Sequence, residues 1–445
     1  MGKYFGTDGV RGKANEKLTL DMAVKIGQYL GHYFSKNKKA KIIIGKDTRL
    51  SSDMFELAIS AGAISTGANV YAVGVCPTPC ISYLVKQEHF DCGVMISASH
   101  NPFYDNGIKL FNFEGKKMDP NLEASIEDYM DGKISIEPAK GDDIGKSVDF
   151  ARGLAIYESY LKNTINHIDA TGLNVALDLA NGSATSTAVD LFTDLGMNVK
   201  VIHSMPNGTN INNHCGSTHP EDLQKLMKSG KYDVGFAFDG DADRLIAVDE
   251  DGNLFDGDYI LYTTSKYLSD KNRLNDNVVV TTVMANLGLY KALDELGITY
   301  VQTPVGDKYV TEEMEKHDYS LGGEQSGHII FREHAVTGDG LLSALMLVEM
   351  MTSTKKSLKE LGEELFIYPQ LLINVEVQDK EAALKDEGLL AQVDEVAKEL
   401  GDEGRILVRP SGTEPLVRVM VEAKTDALCE KYVTQVVEYI KEQGL

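Results

Sequence analysis

The fold is decided by a stretch in which the apolar run Gly93-Val94-Met95-Ile96 passes into the polar loop Ser97-Ala98-Ser99-His100-Asn101-Pro102. A short apolar run of this kind is typical of a buried strand. Open α/β sheets carry their chemistry on the loops that follow the carboxyl ends of strands. We therefore expect a sheet edge at Ser99, where a serine can carry a group between two positions of a substrate.

The pattern of apolar run, amphipathic helix and second apolar run occurs three times along the chain. The three copies are 41–44, 54–66 and 69–75; 174–177, 184–195 and 198–202; and 278–280, 287–296 and 298–302. Each helix is followed or ended by a glycine, namely Gly67, Gly196 and Gly297, as at a C-cap. This order is typical of βαβ units in a largely parallel sheet, and its repetition predicts three similar sheets.

A further strand in each copy leads into an unusual polar loop. The strands span 91–96, 233–238 and 319–321, and the loops span 97–102, 239–244 and 322–328. Because equivalent strand ends carry these loops, we expect them to converge if the three domains face a shared cleft.

Shifts in composition predict four domains, at residues 1–150, 151–252, 253–367 and 368–445. Residues 131–148 have the composition of an irregular connector, and a helix at 151–167 opens the second domain. After residue 368 the order is strand 371–377, helix 380–400, strands 405–408 and 416–423, and helix 427–441, which suits a small α+β domain. The predicted fold class is α/β, with three similar domains of mixed, mostly parallel sheets and a smaller C-terminal α+β domain around a central cleft.

Composition restricts the class of protein. With 445 residues the chain exceeds one domain of about 100–200 residues. A net charge of −23 argues against nucleic acid as a partner, and no window approaches the roughly 18 apolar residues of a membrane span. A Gly-rich motif follows the N-terminus at once and leaves no room for a signal peptide. Five sparse cysteines indicate reduced thiols in a cytoplasmic protein.

The loop Asp239-Gly240-Asp241-Ala242-Asp243-Arg244 carries three alternating carboxylates. In an extended loop such side chains can point to one side, and hard oxygen ligands suit Mg²⁺. An EF-hand loop also begins with alternating aspartates, but it needs Gly at its sixth position, where this chain has Arg244. The sequence therefore predicts a magnesium site, with a solvated turn as the alternative.

Beside such a site, Ser99 is expected to be a phosphoryl carrier whose phosphate would complete the metal shell. His100 either assists the transfer or shapes the loop. Arg11, in Phe5-Gly6-Thr7-Asp8-Gly9-Val10-Arg11-Gly12, is expected to stabilise the transferring group. Lys109 is a candidate proton shuttle or charge partner, or else a solvated lysine.

Two further loops have the composition of binding loops. Gly323-Glu324-Gln325-Ser326-Gly327-His328 offers a carboxylate and a hydroxyl that match vicinal sugar hydroxyls. Arg409-Pro410-Ser411-Gly412-Thr413-Glu414-Pro415, with Arg418 beyond it, offers hydroxyl, backbone and guanidinium donors for a phosphate. Ordinary turns between strands remain the alternative for both.

These four loops, in this order, resemble the α-D-phosphohexomutase superfamily over nearly the whole chain. Within it the resemblance is closest to the bacterial phosphoglucosamine mutases, on the opening motif, on Gln325 in the sugar loop and on the segment from Asn212 through Cys215-Gly216-Ser217-Thr218-His219-Pro220-Glu221. The resemblance implies a four-domain enzyme that converts glucosamine 6-phosphate to glucosamine 1-phosphate through a phosphoserine and a glucosamine 1,6-bisphosphate. That bisphosphate, or a similar compound, would also prime the serine. The route would lead to UDP-N-acetylglucosamine and cell-wall precursors.

The resemblance also implies a role for each matching residue. One Mg²⁺ per subunit would be held by Ser99, Asp239, Asp241 and Asp243, and transfer would be assisted by Arg11, His100, Lys109 and Arg244. Sugar and phosphate would be bound by Glu324, Ser326, His328, Arg409, Ser411, Gly412, Thr413 and Arg418. Relatives carry a histidine near the position of Asp307, where this chain has Gly306-Asp307-Lys308. A homodimer is one option for the oligomeric state.

Three alternatives stay open at this point. The first is a phosphomannomutase or phosphoglucomutase of the same superfamily. The second is a phosphatase that passes the phosphate of Ser99 to water. The third is a sugar-phosphate-binding regulator without turnover, against which the presence of Ser99 and all three aspartates argues.

Overall fold

A computed structural model describes residues 2–411 and 416–445, and the chain forms two compact units. The first unit comprises the residues up to Met284 together with Ile298–Glu363, and it contains three sheets. The second unit comprises Ala285–Gly297 and Glu364–Leu445, and it contains one sheet. Three similar sheets and a small fourth one confirm the predicted fold class. The exact domain boundaries within the first unit stay a prediction.

The strands of the first three sheets follow one another along the chain. The first sheet consists of β1 (Phe5–Gly6), β2 (Gly9–Lys13), β3 (Lys41–Lys46), β4 (Asn69–Val75), β5 (Cys92–Ile96), β6 (Asp105–Phe111) and β7 (Ser147–Asp149). The second consists of β8 (Asn174–Asp178), β9 (Asn198–Ile202), β10 (Val234–Phe238), β11 (Leu245–Val248) and β12 (Leu254–Phe255). The third consists of β13 (Val278–Thr282), β14 (Thr299–Thr303), β15 (Leu321–Gly323) and β16 (Ile329–Phe331).

The helices alternate with these strands. They are α1 (Leu20–Phe34), α2 (Ser52–Ser65), α3 (Thr78–Gln87), α4 (Pro120–Met130), α5 (Arg152–Thr164), α6 (Ala188–Asp194), α7 (Glu221–Met227), α8 (Gly257–Asp270), α9 (Leu287–Glu295), α10 (Asp307–His317), α11 (Gly340–Thr354), α12 (Leu358–Gly362), α13 (Lys380–Ala383), α14 (Glu387–Leu400) and α15 (Asp426–Gln443). Within the two described ranges, no helix combines the length and the apolar character that crossing a bilayer would require.

One four-stranded arrangement occurs in all three sheets. The neighbouring strands are β4-β3-β5-β6, β9-β8-β10-β11 and β14-β13-β15-β16. In each set the first three strands are parallel and the fourth is antiparallel. The predicted helix-ending residues Gly67, Gly196 and Gly297 have φ of +108°, +83° and +67°, which favours glycine. The predicted repeat is therefore confirmed.

The three loops of interest fill the same connection of this arrangement. The serine loop joins β5 to β6, the acidic loop joins β10 to β11, and the sugar loop joins β15 to β16. Strands β5 and β10 are buried along their whole length, and in the first domain Val94 and Ile96 pack in one cluster with Leu30 and Phe55 of the covering helices. A rigid strand thus leads into each of the first two loops.

Several predicted elements differ from those observed. The second predicted helix, 184–195, begins as a 3₁₀ turn at Ser183–Ser186 and becomes α-helical only at Ala188. The reason is local, because the hydroxyls of Thr185 and Ser186 donate to the carbonyls of Gly182 (2.6 Å) and Ser183 (2.8 Å) and compete with regular helix formation. The predicted connector 131–148 ends in β7, which pairs in parallel with β4. Two glycines assigned to the sugar loop belong to β15.

The second unit is a three-stranded antiparallel sheet with helices. Its strands β17 (Gln370–Glu376), β18 (Gly404–Pro410) and β19 (Leu416–Ala423) lie in the order β17-β19-β18. The predicted long helix 380–400 is divided into α13 and α14. Helix α9 also belongs to this unit, since the backbone N–H of Leu287 donates to the buried carboxylate of Glu422 (2.9 Å).

Candidate active site

The serine loop and the acidic loop meet in the first unit. The hydroxyl of Ser99 donates to Oδ2 of Asp239 at 2.6 Å, although the two residues are 140 positions apart. Ser99 is buried, and its φ of +52° places it in the left-handed region, which is uncommon for a serine. The hydroxyl of Ser97 accepts a hydrogen bond from the backbone N–H of Ser99 (2.9 Å) and helps to hold this conformation. The structure therefore presents the Ser99 oxygen directly to the acidic loop.

The three aspartates of the acidic loop form a compact group. One oxygen from each of Asp239, Asp241 and Asp243 lies within 4.8 Å of the others. Oδ2 of Asp241 accepts from the hydroxyl of Thr78 (2.5 Å) and from Nζ of Lys109 (2.8 Å). In contrast, Oδ1 of Asp241 and Oδ1 of Asp243 are buried and have no hydrogen-bond partner among the described residues. Each of these two carboxylates thus has one oxygen held and one oxygen free to bind.

This donor set fits a divalent metal ion. Burial raises the pKa of Asp239 well above its usual range, and the neighbouring Asp243 and Asp241 raise it further. Such crowding of like charges is unfavourable unless a cation lies among them. Carboxylate oxygens with free lone pairs are the ligands that hard cations prefer. The three predicted aspartate ligands therefore lie together. Asp241 and Asp243 each have one oxygen without a hydrogen-bond partner among the described residues.

Lys109 lies at the centre of the site and is almost completely buried. Its Nζ is 2.8 Å from Asp241, 3.4 Å from Asp243 and 3.2 Å from Asp8. Asp8 also pairs with the guanidinium of Arg11. Burial alone would raise the pKa of Asp8, but Lys109, Lys117 and Arg11 hold it well below its usual range. The sequence alternative of a solvated lysine is therefore wrong, because Lys109 is a charge partner of the acidic loop.

Alternating acidic and basic side chains form a network of ion pairs around Lys109. Lys117 is 3.1 Å from Asp8 and 2.8 Å from Asp307, and His328 is 3.9 Å from Asp307 and 3.7 Å from Asp243. Sequence analysis did not assign Asp8, although it lies in the opening motif around Arg11, and it missed Lys117, which nothing local distinguishes from a surface lysine. Asp307, beside which relatives are expected to carry a histidine in sequence, thus lies near both Lys117 and His328.

His328 is buried within this network. Its Nε2 lies 3.0 Å from the backbone N–H of Gly338 and accepts from it when the ring is neutral. Burial alone would lower the pKa of His328, but hydrogen bonding and attraction from Asp243 raise it to about 8. The imidazole can therefore take up or release a proton near neutral pH.

Arg244 and His100 flank the serine. The backbone N–H of Arg244 donates to Oδ1 of Asp239 (3.2 Å), and its buried Nε has no hydrogen-bond partner in the described part of the chain. The Nδ1 atom of His100 is 3.4 Å from the hydroxyl of Ser99. Burial lowers the pKa of His100 to about 4, and the cations Arg244 and Arg11 contribute to this shift. His100 is therefore neutral at physiological pH.

The sugar loop packs against the strand that follows the acidic loop. The backbone N–H of Leu245 donates to the carbonyl of Gly327 (3.0 Å), and Gly327 has no room for a Cβ, which would lie 2.0 Å from the carbonyl oxygen of Leu245. Oε1 of Glu324 accepts from the backbone N–H of Gly306 (3.2 Å). The Oγ atom of Ser326 is buried, and within residues 2–411 and 416–445 it has no hydrogen-bond partner. All three predicted loops of the first unit thus lie together.

A cavity of about 450 Å³ opens beside this group of charges. Its wall includes Asp8 and Lys109 from the centre of the site, and Lys117, Asp307 and Lys308 farther out. Acidic and basic groups face the same space, which suits a ligand that carries both hydroxyl and phosphate groups.

Two side chains that sequence analysis did not assign hold the serine loop. Arg49 is buried, and its Nη2 donates to the carbonyls of Ser99 (2.9 Å) and Asn101 (2.8 Å). Its Nε donates to Asp47 (2.8 Å), which also accepts from the hydroxyl of Ser97 (2.6 Å). The run Lys46-Asp47-Thr48-Arg49 at the end of β3 was the available signal, because it also lies at a strand end.

Asn212 holds the same loop from the second domain. Its amide donates to the carbonyls of Ser99 (2.9 Å) and Asn101 (3.0 Å). The segment that supported the resemblance begins at Asn212 itself. Sequence analysis used this segment for classification and did not give it a structural role.

In the second unit, two predicted phosphate ligands face one another. Arg409 of β18 is paired directly with Arg418 of β19. Burial lowers the pKa of Arg409, and the nearby Arg418 lowers it further. The Nε atom of Arg418 is buried and has no hydrogen-bond partner among the described residues. Like charges directly opposite are unfavourable, so this pair suits an anion. Gly412 and Thr413 lie outside the described residues.

Models of the phosphoglucomutase/phosphomannomutase family match the chain in order along its length. The alpha/beta/alpha domain I matches residues 2–136, domain II matches 155–252, domain III matches 256–367, and the C-terminal domain matches 372–439. The phosphoglucosamine mutase of Lachnoclostridium phytofermentans is 53% identical over 445 residues, covering 100% of this chain and 99% of that protein. The phosphoglucosamine mutase of Bacillus subtilis is 52% identical over 448 residues, covering 100% of both.

Solved structures share the fold. A phosphoglucomutase/phosphomannomutase family protein from Burkholderia thailandensis has a TM-score of 0.81 at 23% identity, over 99% of this chain and 97% of that one. The N-acetylphosphoglucosamine mutase of Aspergillus fumigatus, in complex with GlcNAc-6P and magnesium, has a TM-score of 0.72 at 19% identity, over 100% and 96%. The chain therefore belongs to the phosphoglucomutase/phosphomannomutase superfamily and, within it, to the family of the phosphoglucosamine mutases.

Proposed function

We propose that the protein is an isomerase that interconverts glucosamine 6-phosphate and glucosamine 1-phosphate by intramolecular phosphotransfer. The observation that carries the proposal is the 2.6 Å contact between the Ser99 hydroxyl and the acidic loop, in a chain that is 53% identical to a phosphoglucosamine mutase over its full length. The product would serve UDP-N-acetylglucosamine and cell-wall precursor synthesis.

The proposed reaction has two transfers. In the first, the bond between phosphorus and the Ser99 oxygen breaks while the 1-hydroxyl of glucosamine 6-phosphate gains the phosphoryl group, and the proton that this hydroxyl loses ends on the Ser99 oxygen. The resulting glucosamine 1,6-bisphosphate turns over in the site. In the second transfer, the Ser99 oxygen takes the 6-phosphoryl group as the bond between phosphorus and the 6-oxygen breaks, and the proton of the Ser99 hydroxyl ends on the 6-oxygen. Glucosamine 1-phosphate then leaves, and the enzyme is again a phosphoserine.

The residues around Ser99 have complementary proposed roles. Asp239, Asp241 and Asp243, with the phosphoserine, would hold one Mg²⁺ per subunit. When bound, Mg²⁺ neutralises negative charge on the phosphoryl group. Arg11, Lys109 and Arg244 stabilise the negative charge of the transferring group, and the neutral His100 shapes the serine loop and contacts its hydroxyl. His328, which lies 3.7 Å from Asp243, is proposed to bind the substrate together with Glu324 and Ser326.

Substrate binding has to suit two orientations of the sugar. Glu324 and Ser326 are proposed to bind the vicinal hydroxyls in both, aided by the free Ser326 hydroxyl. Arg409, Ser411, Gly412, Thr413 and Arg418 are proposed to grip the phosphate that does not react. The facing guanidinium groups of Arg409 and Arg418 support this role.

Further proposals concern cofactor, location and assembly. Glucosamine 1,6-bisphosphate, or a similar bisphosphate, is proposed to prime Ser99. A cytoplasmic location is supported by five cysteines that are all buried free thiols, and the charge of −23 argues against nucleic acid. A homodimer is supported by two strongly exposed apolar side chains, Leu57 in helix α2 and Leu50 two residues before that helix.

The experiment compares turnover of glucosamine 6-phosphate with turnover of mannose 6-phosphate and glucose 6-phosphate, in Mg²⁺ with the primer present. We expect glucosamine 6-phosphate to be preferred and Ser99→Ala to lose at least 1,000-fold in rate, roughly the effect of removing a covalent nucleophile. Ser125→Ala is the matched control, because this half-buried serine of α4 donates only to the carbonyl of Asn121 among the described residues.

Three outcomes would contradict the proposal. An unchanged mutase rate in Ser99→Ala would remove the phosphoserine. A clear preference for mannose or glucose phosphate would identify a different mutase. Steady release of inorganic phosphate without isomerised sugar would indicate a phosphatase.

A further inference from the structure

A second group of metal-ligating side chains lies in the second domain, apart from the acidic loop. One atom each of Asp178, His203 and Cys215 lies within 4.8 Å of the other two. Asp178 is the last residue of β8, His203 follows β9 directly, and Cys215 lies in the segment before α7. The three donors are a carboxylate, an imidazole and a thiol, and strand ends of one sheet bring two of them together.

The group is buried on one side and accessible on the other. Asp178 and Cys215 are fully buried, whereas the His203 side chain is 24% exposed. Nδ1 of His203 is 3.0 Å from Oδ2 of Asp178. The sulfur of Cys215 is 3.9 Å from the side-chain nitrogen of Asn181 and 3.9 Å from the carbonyl oxygen of Asn210, and it also accepts from the backbone of Asn212 and Asn213. A small ion could therefore enter past the partly exposed imidazole and meet all three donor atoms.

The second nitrogen of His203 has a carboxylate of its own. Nε2 is 3.4 Å from Oδ2 of Asp222 in α7, on the side of the ring that faces away from Asp178. Metal-binding histidines commonly donate their other ring N–H to a carboxylate in this way, which fixes the ring and its tautomer. His203 is also held at a φ of +47°, which is costly for a side chain of this size. The imidazole of His203 thus lies between two carboxylates, although the left-handed backbone at this residue is unfavourable.

We propose that Asp178, His203 and Cys215 form a binding site for a divalent cation of the zinc class, with a fourth position open to water. Oxygen, nitrogen and sulfur donors suit zinc, whereas an all-oxygen set suits magnesium. On binding, the cation takes Nδ1 of the neutral imidazole. The ring proton then sits on Nε2 and is donated in a hydrogen bond to the carboxylate of Asp222. The thiol of Cys215 loses its proton to solvent, and Oδ2 of Asp178 exchanges its hydrogen bond with His203 for the cation.

Occupancy of this site would reach the reactive serine through the backbone. His203 and Cys215 bracket the segment that contains Asn212, and Asn212 donates to the carbonyl of Ser99 (2.9 Å). Oδ2 of Asp178 also accepts from the backbone N–H of Gly216 (3.0 Å). A bound cation would fasten both ends of this segment to β8 and so steady the support of the serine loop.

The test uses the full-length protein in saturating Mg²⁺, with Co²⁺ as a spectroscopic probe for zinc. We expect one equivalent of Co²⁺ to give a sulfur-to-cobalt charge-transfer band that Zn²⁺ abolishes. The acidic loop contains no sulfur, so cobalt bound there cannot produce this band. Absence of the band in the wild-type protein would overturn the proposal and leave a hydrogen-bonded network.

Variants locate the site. Cys215→Ser should lose the band, while Cys92→Ser, a buried thiol of β5, should keep it. Asp222→Asn should keep the band with an affinity about 10–100-fold lower. Glu221→Gln, the exposed neighbour in the same helix, is its control. A band that survives Cys215→Ser would refute the assignment. If that variant failed to fold, equal affinities in Asp222→Asn and Glu221→Gln would refute it instead.

Discussion

Thr78 contacts the acidic loop through both its backbone and its side chain. Its N–H donates to the carbonyl of Asp241 (2.9 Å), and its hydroxyl donates to Oδ2 of the same residue (2.5 Å). Groups that orient a metal ligand typically change metal affinity by 10–100-fold. We therefore expect Thr78→Val to weaken Mg²⁺ activation by about this factor, with much of the rate restored at high Mg²⁺.

The measurement is the Mg²⁺ dependence of the initial rate. Thr263→Val is the matched control, since Thr263 is equally buried and its hydroxyl only donates within α8, to the carbonyl of Tyr259 (2.9 Å). An unchanged Mg²⁺ requirement in Thr78→Val would mean that Lys109 alone is enough to orient Asp241.

Asp339 is a buried carboxylate at the N-terminus of α11. It accepts from the hydroxyl of Tyr157 (2.6 Å) and the N–H of Leu342 (3.0 Å), yet burial raises its pKa from 3.8 to about 6. The folded protein therefore holds this proton up to about pH 6, whereas the unfolded chain releases it near pH 3.8. Ionised Asp339 therefore lowers the free energy of unfolding. This loss reaches its full size above pH 6 and is absent below pH 3.8.

Asp339→Asn keeps an oxygen for the N–H of Leu342, places an amide N–H opposite the hydroxyl oxygen of Tyr157, which can accept from it, and removes the buried charge. A shift of about two pKa units corresponds to about 3 kcal/mol at most. We expect the variant to have a higher free energy of unfolding at pH 8 by up to that amount, and the gain to shrink as the pH falls from 6 towards 4. Urea unfolding at pH 8 and pH 4.5 measures it. The control is Asp119→Asn, an exposed N-cap of α4. An equal gain at both pH values would contradict the argument.

At the scale of elements, the serine loop is held by Arg49 more than by its own residues. The guanidinium donates to the carbonyls of Ser99, Asn101, Pro102 and Asp105. A lysine cannot span these acceptors, because it presents its donors from one point. We expect Arg49→Lys to lower kcat by about 100-fold, the cost of a misplacement near 1 Å, with little change in KM.

Arg152→Lys, at an exposed arginine that begins α5, is the control for this substitution. Steady-state kinetics on both variants separates kcat from KM. If Arg49→Lys changed only KM, the loop would be held in place by Asn212 and the proposed role of Arg49 would be wrong.

The elements themselves were largely predictable from the sequence. Strands such as Asn69–Val75 and Asn198–Ile202 were predicted with the observed bounds, because an apolar run between glycine or polar residues is a local signal. The start of α6 was not, since the hydroxyls of Thr185 and Ser186 favour a tighter turn that periodicity does not reveal.

The site was predictable only where its chemistry is unusual. Three alternating aspartates and a serine after a buried strand are conspicuous in any sequence. Thr78, Arg49 and Lys117 are ordinary residues whose roles depend on partners far along the chain, such as the 163 positions between Thr78 and Asp241. Single-sequence reasoning has no access to such pairs. The roles of the site residues stay predictions until the variants are measured.

At the scale of the whole molecule, helix α9 packs in a different unit from the strands that flank it in sequence. The helix lies between β13 and β14 in sequence, yet it belongs to the unit formed by the C-terminal residues. Glu422 is fully buried and accepts from the N–H of Leu287 (2.9 Å) and from Nε of Arg405 (2.6 Å). This carboxylate thus joins the start of α9 to two strands of the fourth sheet.

We expect α9 to open together with the C-terminal sheet. In Glu422→Gln the charge-assisted bonds are lost, at a cost of about 1.5–3 kcal/mol, so amide exchange in α9 and β19 should quicken by roughly 10–100-fold. Amides of β13 and β14 should be unaffected. Native-state hydrogen exchange by mass spectrometry measures this, with the exposed Glu438→Gln as control. Exchange of α9 in step with β13 would refute the assignment.

The carboxylate of Glu422 has a practical consequence for anyone who dissects the gene. A recombinant fragment started at residue 368 would omit the helix whose first N–H this buried acid accepts, and Arg405 would lose the face of Tyr290, 5.3 Å from its guanidinium carbon. Such a truncated product should be poorly soluble. Fusing residues 285–297 to the N-terminus of this fragment through a short glycine–serine linker should give a soluble, folded domain.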